Sequence, residues 1–223
     1  MTKVTTCSME KSKVEKDCKL WASEIANEYI PDLIIFVAKS GYLFAKPMVE
    51  IFNCPMVDIC AIRPHNSVKD KGSNLIELIP QKIILTILSS PLMYKYNEIK
   101  KRRDIIITKK FLVESSKKYE RLLIVDDSID TGWTMSNVKR EIRKYFQNAE
   151  IRIASYSFIE YGKKRVGVDY YRHLNKLILT ATSRKSEEYA AFIDEFERWS
   201  KKNEEAAEKV IESSMGSERR KAR

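Results

Sequence analysis

The chain has 223 residues, 43% apolar and 32% charged, with 41 Lys and Arg against 31 Asp and Glu, a net charge of +10. That composition suits one large domain with a real core; no apolar run approaches the ~20 residues of a membrane span, and the lysine-rich start carries no apolar leader. Four cysteines (Cys7, Cys18, Cys54, Cys60) without a Cys-x-x-Cys pair, and two histidines far apart (His65, His173), argue against a structural zinc site and for reduced thiols in a soluble, cytoplasmic protein.

The positive excess fits an anionic small substrate, nucleic acid or a solvated basic surface. The last comes first, because much of the excess sits in two local runs, Lys100-Lys101-Arg102-Arg103 and Arg219-Arg220-Lys221 with Arg223. The second run falls in an expected disordered tail, 214–223.

Val14, Cys18, Trp21, Ile25 and Tyr29 recur every three or four residues, one face of an amphipathic helix that Pro31 ends. Residues 33–38 are continuously apolar and read as a buried parallel strand. Lys39-Ser40-Gly41-Tyr42 reads as a turn, 43–52 as a helix and, after Pro55, 56–62 as a second strand. Helix, strand, loop, helix, strand is βαβ order with a parallel sheet. Between 63 and 120 the pattern is weaker: a polar loop over 63–74, a strand over 83–88, a short apolar stretch at 105–107 and a helix over 109–119. The apolar run 122–125 is a further buried strand. It leads into Asp126-Asp127-Ser128-Ile129-Asp130-Thr131-Gly132-Trp133-Thr134-Met135, and a helix follows over 136–146. Strands at 151–159 and 177–181 come next, then a long helix over 186–213. On that helix Tyr189, Phe192, Phe196, Trp199 and Asn203 share a face, read as core or a subunit contact rather than a ligand box.

The acidic stretch carries the chemistry. Carboxylates at the C-terminal end of a strand accept hydrogen bonds from hydroxyls. Bare amides at a helix start accept a phosphate. Successive strand side chains point to opposite faces, so Asp126 and Asp127 are expected to serve one ligand only where the strand has ended. Gly132 leaves room for a phosphate to approach the backbone; Thr131 and Thr134 offer hydroxyls, and Thr134 is a candidate helix cap. No G-x-x-x-x-G-K-[ST] run, no G-x-G-x-x-G run and no D-x-D at this site exist, which removes a Walker loop, a dinucleotide fingerprint and an aspartyl-phosphate phosphatase.

The stretch from Leu123 to Met135 resembles the phosphoribosyl-diphosphate (PRPP) signature of type I phosphoribosyltransferases, in the spelling of the hypoxanthine-guanine branch. Ile35-Phe36-Val37-Ala38-Lys39-Ser40-Gly41-Tyr42 resembles that branch's diphosphate loop, in the right order along the chain. The resemblance covers about residues 10–185. It implies an α/β fold: a parallel sheet of about five strands flanked by helices, with a small hood drawn from parts of 1–30 and 160–185, the helix 186–213 and the tail 214–223 around a single domain over 1–213. It implies transfer of ribose 5-phosphate from Mg2+-bound PRPP to a nitrogenous, purine-like base in purine salvage, with release of diphosphate.

By the same resemblance Asp126 and Asp127 face the ribose hydroxyls and, indirectly, Mg2+. Asp130 is the catalytic carboxylate beside the base. Asp130, Thr131, Gly132, Trp133 and Thr134 cradle the 5′-phosphate, and Lys39, Ser40 and Gly41 hold the diphosphate next to a non-proline cis peptide. The base side departs from the branch. Ile159 stands where a purine-contacting lysine is usual, with Lys163 and Lys164 a few residues on. The stacking position falls at Leu177, with Tyr170 or Tyr171 as substitutes, and the Ser-Tyr pair of the branch's mobile loop is missing between 63 and 120. The alternative function is a non-catalytic PRPP- or nucleotide-sensing regulator of the same fold, touching nucleic acid through its basic surface. A homodimer fits either.

Overall fold

Strand β2 (Leu33–Ala38) is buried on both faces, as its unbroken apolar run requires. The computed structural model describes residues 4–62, 104–160 and 165–221, with side chains to residue 213. The expected loop at 63–74, the strand at 83–88, the basic run 100–103 and Lys163 and Lys164 lie outside the described residues.

Around β2 the described residues build a sheet of six strands in the order β4-β3-β2-β5-β6-β7. Its members are β3 (Met56–Ile62), β4 (Asp104–Ile107), β5 (Arg121–Ile129), β6 (Glu150–Phe158) and β7 (Tyr170–Leu174). All neighbours run parallel except β4, which pairs antiparallel with β3 at the edge. The parallel part, β3-β2-β5-β6-β7, has the expected five strands, and the antiparallel β4 adds a sixth; the Tyr-Tyr-Arg-His-Leu sequence of β7 carries no continuous apolar run because it lies at the other edge. A separate two-stranded parallel sheet joins β1 (Thr5–Ser8) to β8 (Lys176–Leu179) and draws on both segments expected to form the hood.

Alternation along the strands feeds two cores. On one face Ile34, Phe36, Leu123 and Val125 meet α1 (Lys11–Ala26), α2 (Gly41–Phe52) and the aromatic side of α5 (Tyr189–Lys221). On the other Leu33, Ile35, Leu122 and Ile124 meet Phe111 of α3 (Lys109–Ser115) and Met135, Val138 and Ile142 of α4 (Trp133–Tyr145). The aromatic stripe of α5 belongs to the first core: Phe192 and Phe196 are buried, so the stripe is internal packing. Helix α5 runs to Lys221, through the stretch expected to be a disordered tail. No helix among the described residues is long and apolar enough to cross a membrane.

A polar cluster ties α1 to the far side of the sheet. Tyr156 donates its hydroxyl to Asp17 at 2.9 Å, and Arg172 donates to the same carboxylate at 2.6 and 3.0 Å and to Glu24 at 2.8 Å. Burial pushes the Asp17 carboxyl up, but the bonds from Arg172 and Tyr156 outweigh it and leave the group below its ordinary value. This fixes the helix that leads into β2.

Candidate functional site

Strand β5 keeps its two neighbours for different lengths. It pairs with β2 only as far as Phe36 opposite Val125, and with β6 as far as Ile129 opposite Phe158. From Asp126 onward its β2 side is open. The same seam is where the sheet changes direction: from β2 the chain goes to β3 on one side and later to β5 on the other. A crevice at the C-terminal ends of strands, at such a switch point, is where open α/β sheets bind ligands.

The strand does not end before the acids, contrary to the sequence expectation; β6 holds it to Ile129. Asp126 and Asp127 nonetheless border one crevice, because the missing β2 neighbour exposes the seam rather than one face. Strand alternation places Asp127 with Val125, on the α2 side, and Asp126 with Ile124, on the α4 side. The cleft holds about 290 Å³ and is lined by residues 126–135 together with Val37, Ser40 and Ala61.

Asp126 is buried and Asp127 half-buried. The Asp126 carboxylate accepts the Asp127 N–H at 3.0 Å, and the Asp127 carboxylate accepts the Ser128 N–H at 2.8 Å. The Ser40 hydroxyl also bonds Asp127, which links the two motifs that sequence placed far apart. Burial pushes both acids above the ordinary carboxylate range; Asp126 is pushed further, because the charges of Asp127 and Asp130 both face it.

A folded-state value above the unfolded one makes the ionised pair a cost that is full at high pH and fades as pH falls towards the ordinary carboxylate range. Asp126→Asn is therefore expected to raise the melting temperature of the ligand-free protein at about pH 8, by on the order of 1 kcal/mol of stability, and to raise it less at about pH 5. Parallel thermal melts of both proteins check this.

Gly132 sits at φ 75°, in the left-handed region, and forms the N-cap of α4 with no side-chain cap. The cap role offered to Thr134 is thus a correction: Thr134 lies one residue inside the helix, whose first turn begins at Trp133. Gly132 itself brings no side chain to the cap, and the first turn of the helix borders the cleft with Thr131 and Thr134. Arg165, which no sequence signal singled out, completes this side. Its guanidinium donates to the Thr131 carbonyl at 3.1 Å and lies 4.6 Å from the Trp133 ring centroid. It stands between β6 and β7 in the chain, more than thirty residues from Thr131, and spacing in sequence does not encode that contact.

The opposite wall is the start of α2. The Ala38–Lys39 peptide is cis, Ser40 faces the acids, and Lys39 is exposed, 3.8 Å from the Glu197 carboxylate. Gly41 is needed for close approach: a Cβ there would lie 3.0 Å from the Val125 carbonyl oxygen and 3.3 Å from Phe36 Cβ. Backbone on β5 cannot yield as a flexible side chain does. Gly41→Ala is expected to cost about 1–3 kcal/mol, read as a lower denaturant midpoint at unchanged slope.

The residues proposed for the base do not line this cleft. Ile159 is fully buried, and its N–H donates to the Ile129 carbonyl at 2.9 Å. Leu177 pairs with Thr6 in the two-stranded sheet. The Tyr170 hydroxyl accepts a bond from Arg152, and Tyr171 is 47% exposed beside Phe158. Ser40 and residues 126–134 line one cleft, with Lys39 next to Ser40 in the chain but outside that lining; these four are spread along β7, β8 and the end of β6.

Among the described residues no three His, Cys, Asp or Glu side chains converge as a metal cage. Two adjacent carboxylates held above their ordinary range, however, are hard oxygen donors relieved by a cation brought to them. This fits Mg2+, which is commonly bound through one or two carboxylates plus substrate phosphates and its own waters.

The model of the phosphoribosyl transferase domain matches residues 9–183. Three solved structures share the fold at low identity. A purine phosphoribosyltransferase from Pyrococcus horikoshii Ot3 is 21% identical, with 81% of this chain and 95% of that one covered and a TM-score of 0.53. The Helicobacter pylori xanthine-guanine-hypoxanthine phosphoribosyltransferase is 11% identical, over 83% and 99%, with a TM-score of 0.53. A Neisseria gonorrhoeae protein with bound ppGpp is 14% identical, over 90% and 98%, with a TM-score of 0.54. No curated protein matches the chain.

Proposed function

The chain belongs to the phosphoribosyl transferase family and is a phosphoribosyltransferase, and from that premise we propose that it takes PRPP with Mg2+ and transfers ribose 5-phosphate to a nitrogenous, purine-like base, releasing diphosphate. One observation carries the reading. Hydroxyl-accepting acids, a helix start whose cap is a glycine, and Ser40 of the loop before α2 border one cleft of about 290 Å³ at the seam between β2 and β5. A sugar with a phosphate at one end and a diphosphate at the other presents the complementary groups.

In this reading the first-turn amides of α4, with Thr131 and Thr134, hold the 5′-phosphate, and the helix start favours its charge. Asp126 and Asp127 accept bonds from the two ribose hydroxyls. Asp126 and Asp127 would hold Mg2+, directly or through its waters, and when bound it would supply neutralising charge for the diphosphate. Lys39, Ser40 and Gly41 receive that group. As the bond from C1 to diphosphate breaks, positive charge builds on the ribose, and the carboxylates of Asp126, Asp127 and Asp130 lining the cleft stabilise it. The incoming base nitrogen bonds to C1 and sheds a proton, which in this reading Asp130 accepts. Positioning and charge placement supply most of the rate.

The test is a panel of purine and pyrimidine bases with PRPP and Mg2+, scored by diphosphate release. Release with one class of base supports the reading and names the substrate. PRPP binding with no release from any base would replace it with the sensor function.

A further inference from the structure

Helix α5 begins at residue 189, beyond the 9–183 that the family model matches, yet it forms a wall of the diphosphate loop. Tyr42, the residue after Gly41, has its ring among Phe192, Phe196 and Trp199, at centroid distances of 6.4, 5.5 and 5.4 Å. Trp199 also meets Phe36 of β2 at 5.1 Å. Glu195 takes the ammonium groups of Lys11 on α1 and Lys46 on α2 and accepts the Tyr42 hydroxyl at 3.4 Å. Glu188, just before the helix, accepts the backbone N–H of Lys11 at 2.9 Å. Aromatic packing and ion pairs on two neighbouring helices thus fix the first half of α5.

On this fixed support Glu197 presents its carboxylate 3.8 Å from the Lys39 ammonium. That ammonium is the cation of the loop proposed to receive diphosphate. A carboxylate and a diphosphate there have the same sign and compete for the same donor.

We infer that Glu197 is a specificity-determining residue for the diphosphate end of the substrate. It holds Lys39 while the loop is empty and yields it when diphosphate arrives, so the appended helix sets the affinity of that end and leaves the 5′-phosphate end untouched. This role rests on the functional reading above. Both side chains are more than half exposed, so the effect is screened and modest.

Isothermal titration of the full chain with inorganic diphosphate plus Mg2+, and separately with ribose 5-phosphate, tests it. Glu197→Gln is expected to tighten diphosphate binding roughly two- to five-fold, Glu197→Lys to tighten it further, and neither to change ribose 5-phosphate binding. In a Lys39→Met background Glu197→Gln should change nothing, which a double-mutant cycle reads directly. Equal diphosphate affinity in wild type and Glu197→Gln overturns the inference, as does an equal shift for both ligands. A wild-type protein that binds neither ligand overturns the functional reading itself, and the inference with it.

Discussion

Asp130→Asn is expected to slow base transfer by about 10²- to 10⁴-fold, the range a positioned general base supplies, while PRPP affinity stays within about three-fold. The substitution keeps the side chain's size and its place between Ile129 and the cradle, so the cleft wall is preserved. What it removes is the capacity to accept a proton. A second readout separates this from a disturbed fold. The Asp130 charge is one of the causes that push Asp126 up, after burial and the Asp127 charge. Without it Asp126 ionises at lower pH, so the residual activity and PRPP affinity of the variant should reach their high-pH level earlier than in wild type. The checks are steady-state kinetics of diphosphate release across pH and calorimetric PRPP binding. Unchanged turnover would remove the role proposed for Asp130.

The contrast between the two halves of the site shows what a linear sequence records. Strands at 33–38 and 56–62 were legible to the residue because a parallel strand buried on both faces must be apolar throughout. The turn proposed for the phosphate has its shape written locally for a related reason: acids, a left-handed glycine and a helix start are consecutive in the chain, so one short window contains their geometry. The loop proposed for diphosphate is marked in the sequence only by its place between β2 and α2. Its contact with the acids through Ser40 depends on the seam between β2 and β5, and no local pattern encodes which strands become neighbours. For the same reason the strand's continuation to Ile129 was missed: turn-forming residues describe 126–131 until β6 pairs with them and holds them extended. Strand β7 was missed because an edge strand with one wet face looks like polar chain. The base side was expected from positions equivalent to those of the resembling branch. Ile159 shows why such transfer is uncertain in a divergent segment: its backbone lies after β6 as expected, but an apolar side chain there folds into the core.

Gly132→Val should abolish useful PRPP binding, with an affinity loss of about 10²-fold or more. Two causes act at once and can be separated. Gly132 sits at φ 75°, where a β-branched residue is a true outlier, so valine distorts the start of α4. It also places two methyl groups over the first-turn amides, where each charge-assisted hydrogen bond to phosphate contributes roughly 1.5–3 kcal/mol; losing two gives the stated fold-change. Gly132→Asn divides the causes. Asparagine tolerates the left-handed conformation, so the helix start survives, yet its side chain still reaches towards the amides and acts as a cap in place of the phosphate. The expected result is an asparagine variant with near wild-type thermal stability, a valine variant that melts lower, and a PRPP affinity reduced in both. Diphosphate affinity should persist in the asparagine variant, because Lys39 and Ser40 belong to the other wall. If the asparagine variant bound PRPP as wild type does, the amides of α4 would not be the phosphate site, and the glycine would serve only the turn.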